Sequence, residues 1–154
     1  MIDAHESCEY TPVCEPGEYP FQLRIEDMAW DPQEDNLLVS FGDKGMCLIS
    51  YQGFSPETRV VKRFDPPQHV VNNIAWMPDR SGNFVTTNEK VGIVLSWNVA
   101  SNEPSQAIKV GAKGTHSMTF LDLEADKSGG ARLLISLKNG ALQVYNLKRQ
   151  SVEF

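Results

Sequence analysis

One four-part unit occurs three times along this chain, and a repeat of that size restricts the possible fold more than any other feature. Trp30, Trp76 and Phe120 each close a short apolar-x-apolar run ("DMAW", "NIAW", "SMTF"), 46 and 44 residues apart. Gly45, Gly92 and Gly140 each open another ("GMCLIS", "GIVLSW", "GALQVY"), at spacings of 47 and 48. Between these markers stands a third run: "NLLVSF" at 36–41, "NFVTTN" at 83–88 and "RLLISL" at 132–137. A fourth follows each glycine-led run: "TRVVKRF" at 58–64, "SQAIKVG" at 105–111 and the final "QSVEF".

Turn formers separate these runs, among them "DPQED", "GDKG", "PDRSG", "SNEPS" and "KNG". Short β-rich runs bounded by such residues predict a meander of antiparallel strands, four to a unit. No stretch keeps an apolar pattern at helical spacing with caps. The nearest, "FLDLEADK" at 120–127, leads into "SGG" and reads as a strand entering a loop. That link, between the first and second strands of the third unit, is longer than its two counterparts. The expected class is therefore all-β.

Such a sheet is apolar on both sides. In "GIVLSW", Ile93 and Leu95 face one way while Val94 and Ser96 face the other. Both faces need cover, and sheets of this kind find it by stacking as the blades of a propeller. Trp30, Trp76, Trp97, Phe120 and Tyr145 recur once per unit, so they are assigned to packing between sheets rather than to a platform for bases or sugars. Gly45, Gly92 and Gly140 are assigned to turns that need positive φ.

These residues resemble the WD-repeat (WD40) β-propeller family, whose units run about 40 to 45 residues and end the third strand in Trp-Asp. Trp97-Asn98 and Tyr145-Asn146 are similar to that pair, and Asn139-Gly140 to the turn that precedes the strand. The resemblance covers 21–154 as about three blades, near 21–64, 70–111 and 114–154, after an acidic, poorly ordered arm at 1–20. There are departures. His69 follows Gln68 rather than glycine, His116 lies close to Phe120, and alignment on Gly45 puts Ser50 at the tryptophan position of unit one. Of the polar set that fixes a blade in this family, Thr86 or Thr87 with His69 and Trp97 is expected to keep part.

Three blades are fewer than the four to eight that close a ring. The chain is expected to be a fragment of a longer propeller. The alternatives are a chain that pairs with a second copy to complete a ring and an open stack with masked ends.

The resemblance implies a non-catalytic scaffold that binds other proteins through the rim of its channel. On this sequence the rim maps to Asp43, Lys44, Glu89, Lys90, Lys138 and Asn139 in the turns between second and third strands. It also takes in Pro66, Pro67, Gln68, His69, Lys113, Thr115 and His116 in the connections between blades.

Charge argues against two other partners. The net charge is -6, yet Asp3, Glu6, Glu9, Glu15 and Glu18 precede Pro20 with no Lys or Arg, leaving 14 basic against 15 acidic residues beyond it. A nearly neutral body offers no footprint for nucleic acid unless Arg59, Lys62, Arg63, Lys148 and Arg149 converge. No apolar stretch approaches a bilayer span, and "MIDAHESCEY" has no export-signal pattern. The 3 cysteines suit a reducing, intracellular and cytoplasmic setting.

No cofactor or metal is expected, because His5, Cys8 and Cys14 lack a fourth ligand. Neither is a catalytic residue. His116, Ser117 and Asp122 imitate a triad in sequence, but neighbours on a strand point to opposite faces. The carboxylate pairs Asp31 with Asp35 and Glu124 with Asp126 sit in turn-like segments, as solvated loops do.

Overall fold

In a computed structural model of the chain, residues 24–51, 58–64, 70–88, 90–110, 114–121 and 131–153 are described, with Tyr51 and residues 58–61 by their backbone alone. The described residues contain strands and turns and no helix. The first sheet holds β1 (Asp27–Trp30), β2 (Asn36–Ser40), β3 (Met46–Tyr51) and β4 (Thr58–Phe64). The second holds β5 (Asn73–Trp76), β6 (Asn83–Thr87), β7 (Ile93–Asn98) and β8 (Gln106–Lys109). The third holds β9 (Thr115–Phe120), β10 (Arg132–Leu137), β11 (Leu142–Asn146) and β12 (Ser151–Val152). Each sheet is an antiparallel meander in chain order, and every strand falls on one of the predicted runs. The chain is thus a partial β-propeller of three blades.

The first strands stand side by side, β1 against β5 and β5 against β9, as sheets converging on one axis must. Two cores fill the seams. Leu38, Met46, Leu48 and Phe64 of the first sheet meet Ile74, Phe84, Leu95 and Trp97 of the second. Val85, Val94 and Ile108 of the second meet Leu133, Ile135, Leu137 and Tyr145 of the third. Each fully buried Leu or Phe here contributes about 1.5–3 kcal/mol of transfer free energy. Desolvation in the second seam pushes the Tyr145 phenol above its ordinary pKa.

Period-two alternation decides which residues share a seam. Trp76 pairs with Phe84, which pairs with Trp97. The same columns are Phe120, Leu133 and Tyr145 in the third sheet and Trp30, Leu37 and Ile49 in the first. The tryptophan position of the first blade is therefore Ile49, not Ser50. The reason is local: Ser40 pairs with Met46, directly after Gly45, whereas Thr87 pairs with Val94 and Ser136 with Leu142, each two residues after its glycine, so Gly45 lies one residue nearer its third strand and alignment on it slips by one.

A second correction concerns Trp30. Trp76 and Phe120 lie against the seam clusters, but Trp30 faces away from the second sheet and is 49% exposed. It has the right spacing on a blade with no described predecessor. Gly45 (φ 97) and Gly140 (φ 84) adopt the left-handed conformation, but Gly92 does not; its carbonyl accepts a hydrogen bond from Val110 N at 2.8 Å.

Gly82 carries a stronger requirement than either. Its φ is +75, and a Cβ there would stand 2.8 Å from Val99 Cγ2. Gly82→Ala is expected to cost about 2–4 kcal/mol, from the left-handed penalty plus overpacking. Gly140→Ala, with φ +84 and nothing within 4 Å, is expected to cost only the backbone part, about 1–2 kcal/mol. Chemical denaturation of the two variants checks the difference.

Candidate protein-interaction surface

Turns β2–β3, β6–β7 and β10–β11 project from one end of the stack, and their backbones are tied to the connections between blades. Ser40 Oγ donates to Val71 O at 2.8 Å and accepts from Gly42 N at 3.1 Å, while Val71 N donates to Gly42 O at 3.2 Å. One seam further on, Thr115 Oγ1 donates to Asn88 O at 3.1 Å. Lys138 N donates to Gly114 O at 3.3 Å. The turns are thereby held in place while their tips remain in water.

The tips carry mixed charge. Asp43 and Lys44 form an ion pair at 3.6 Å with side chains 66% and 60% exposed. A pair that exposed contributes about 0–1 kcal/mol. Lys90 is exposed above an Asx turn in which Asn88 Oδ1 accepts from Lys90 N at 2.8 Å. Lys138 and Asn139 are exposed, with Asn139 Oδ1 accepting from Ala141 N at 3.0 Å.

Thr115 does not belong with them. It is fully buried, because its hydroxyl ties the third sheet to the second. His116 is exposed beside it, at a bulge: Ser117 pairs with Ser136 and Thr115 with Leu137, which leaves His116 as the extra residue. Pro66, Pro67, Gln68, His69, Glu89 and Lys113 lie outside the described residues.

Of the polar residues singled out in the second unit, Trp97 and Thr86 meet. Trp97 Nε1 donates to Thr86 Oγ1 at 3.0 Å inside the seam, while His69 lies outside the described residues. Asn98 Oδ1 accepts from Ala100 N at 2.8 Å and Asn146 Oδ1 from Arg149 N at 2.9 Å, so both asparagines close the turn after the third strand.

The opposite end holds a feature not foreseen from sequence. A cleft of about 530 Å³ runs along the inner strands between Trp30, Pro32, Ala75, Pro78, Met118, Phe120 and Leu121. Its signal was available as "WDP" and "WMP", a proline two residues beyond each of the first two aromatic markers. A smaller cavity of about 280 Å³ lies in the first seam, walled by Asp31, Asn36, Trp76, Arg80 and Gly82.

Neither holds an acid/base constellation. His116 has no hydrogen-bond partner among the described residues, and Asp122 lies outside them. Among the described residues no three His, Cys, Asp or Glu side chains cluster as metal ligands. Among the described residues, Lys62 and Arg149 stand on different sheets. Lys62 donates to Val99 O and Ser101 O at 2.6 and 2.7 Å on the first seam, whereas Arg149 pairs with Glu153 at 3.6 Å in the third sheet. Among the described residues no helix is long and apolar enough to cross a membrane. Compared with models of known protein families, the chain matches none.

Proposed function

We propose that the chain is a protein-interaction segment of a WD-repeat propeller, acting as a scaffold rather than as a catalyst. The observation that carries this reading is the row of exposed, mixed-charge turn tips at one end of the blades. Asp43, Lys44, Lys90, His116, Lys138 and Asn139 stand there on backbones held by hydrogen bonds across the seams. A polar surface at a fixed spacing suits recognition of a protein segment. The Trp97–Thr86 hydrogen bond and the turn-closing Asn98 and Asn146 support the family reading. More narrowly, "EDMAWDPQEDNLLV" with "NNIAWMPDRSGNFVTTNEKVGIVLSWNV" resembles part of the first propeller of WD repeat-containing protein seventeen, and we propose a relative or a piece of such a protein.

The experiment is a comparison of captured proteins. A Lys44→Glu, Lys90→Glu, Lys138→Glu chain is expected to lose a defined subset of the partners retained by the unaltered chain, at an unchanged melting temperature. Charge reversal at exposed tips leaves stability within about 0.5 kcal/mol but reverses the sign a partner meets. An identical set of captured proteins from both chains refutes the rim assignment.

A further inference from the structure

The third hairpin sets the one Asn-Gly pair of the sequence at a tip in water. Gly140 N donates to Leu137 O at 3.0 Å and Leu137 N to Ala141 O at 2.8 Å, so β10 passes into β11 through a tight turn that ends on Gly140 at φ 84. Residues 138–142 are all exposed. Within this turn Asn139 Oδ1 accepts from Ala141 N at 3.0 Å, and the ring that this hydrogen bond closes contains the Gly140 nitrogen. The side-chain amide is thereby folded back toward that nitrogen. The same donor draws electrons from Cγ and faces the oxygen on which negative charge would develop if Cγ became tetrahedral. Glycine completes the arrangement: an ideal Cβ at Gly140 would meet nothing within 4 Å, so the space beside its peptide unit is open.

We propose that Asn139 is a site of spontaneous deamidation, in which the Gly140 nitrogen of the chain itself displaces the side-chain amide. Gly140 N gives its proton to hydroxide and bonds to Asn139 Cγ. The tetrahedral oxyanion at Oδ1 collapses, the Cγ–Nδ2 bond breaks, and ammonia leaves with a proton from water. The product is a five-membered imide. Water then opens it in one of two ways: cleavage at Cγ gives aspartate, whereas cleavage at the main-chain carbonyl carbon gives isoaspartate, with the chain running through the former side chain. No oxidant, reductant or cofactor is consumed.

Other asparagines lack one part of this set. Asn98 makes the same kind of turn, with Oδ1 accepting from Ala100 N at 2.8 Å, but the next nitrogen belongs to β-branched, half-buried Val99 and donates to Gly82 O at 3.0 Å. Asn102 is exposed but precedes Glu103. At Asn139 the step that must come first is release of Gly140 N from Leu137 O. That bond closes an exposed turn at the end of a hairpin, where opening is local and costs far less than unfolding. Either product places a carboxylate beside Lys138, ionised at neutral pH. Isoaspartate also adds a methylene to the main chain inside the turn. The chemistry is independent of the partner-binding role proposed above.

Peptide mapping by mass spectrometry, on the full chain held in mildly alkaline buffer, tests the proposal. Asn139 is expected to convert mainly to isoaspartate, with aspartate as the minor product, and to do so faster as hydroxide rises. Asn98 and Asn102 of the same chain are expected to convert at least about tenfold more slowly, and so is Asn139 in a Gly140→Ala chain, where a methyl group crowds the attacking nitrogen. Alanine is strained at this left-handed φ and loosens the turn, so slower conversion there reports crowding and not added rigidity. The near-ultraviolet signal of the buried Trp97 verifies that each chain stays folded. Conversion of Asn139 no faster than that of Asn102 overturns the proposal, as does aspartate formed without isoaspartate. An unchanged rate in the Gly140→Ala chain, or isoaspartate that forms only in urea, overturns it as well.

Discussion

Trp97→Ala is expected to lower unfolding free energy by about 3–5 kcal/mol, the cost of removing a buried aromatic that its surroundings cannot refill. The side chain is 1% exposed in the centre of the first seam. Its ring lies parallel to Phe84 at 6.1 Å and edge-on to Phe64 at 6.0 Å, and Phe64 meets Phe84 edge-on at 5.6 Å. One truncation therefore opens contacts to both blades. A smaller companion effect separates packing from hydrogen bonding. Thr86→Val keeps the shape but strands the Trp97 N–H, for a cost of about 1–3 kcal/mol. Urea titration of both chains checks the order; a smaller loss for Trp97→Ala than for Thr86→Val would place the ring outside the seam.

The second large effect tests the stacking itself through two neighbouring leucines. Leu133 is 0% exposed and faces the second sheet between Phe120 and Tyr145. Leu134 faces the opposite side, paired with Thr119 and Val144. Leu133→Ala is expected to cost about 2–5 kcal/mol, because the cavity lies between two rigid sheets. Leu134→Ala is expected to cost about 1 kcal/mol or less, because the lost methyl groups were half in water already. Equal costs at the two positions, measured by the same titration, would mean that the third sheet does not pack on the second.

Strand existence and order were legible because both rest on local chemistry. Alternating apolar runs and the turn formers between them place β2, β4 and β10 within a residue of the predicted runs. The exposure of Asp43, Lys44, Lys138 and Asn139 was legible for the same reason: turn tips meet water wherever a hairpin ends. Thr115 was misassigned because nothing local distinguishes a hydroxyl in water from one that donates to Asn88 O in the next sheet. Ile49 was missed because counting from a glycine assumes that it holds the same place in every hairpin, and only cross-strand pairing shows that Gly45 lies one residue nearer its strand than Gly92 and Gly140 do.

The bulge at His116 carries a further lesson. Strict alternation was the argument against pairing His116 with Ser117, and the strand departs from it at this step. The pairing still fails, since His116 has no hydrogen-bond partner among the described residues.

By itself the amino-acid order determined that this protein is made of three two-faced antiparallel meanders, for periodicity and turn chemistry act over a few neighbours and survive in any context. Tertiary structure alone decided which aromatic rings became core. Trp30 and Trp76 have the same local setting, yet one is half exposed and the other lies in a seam and donates to Ala29 O at 3.0 Å. The physical reason is that burial belongs to a pair of surfaces, and whether a second sheet stands opposite is not written near the residue.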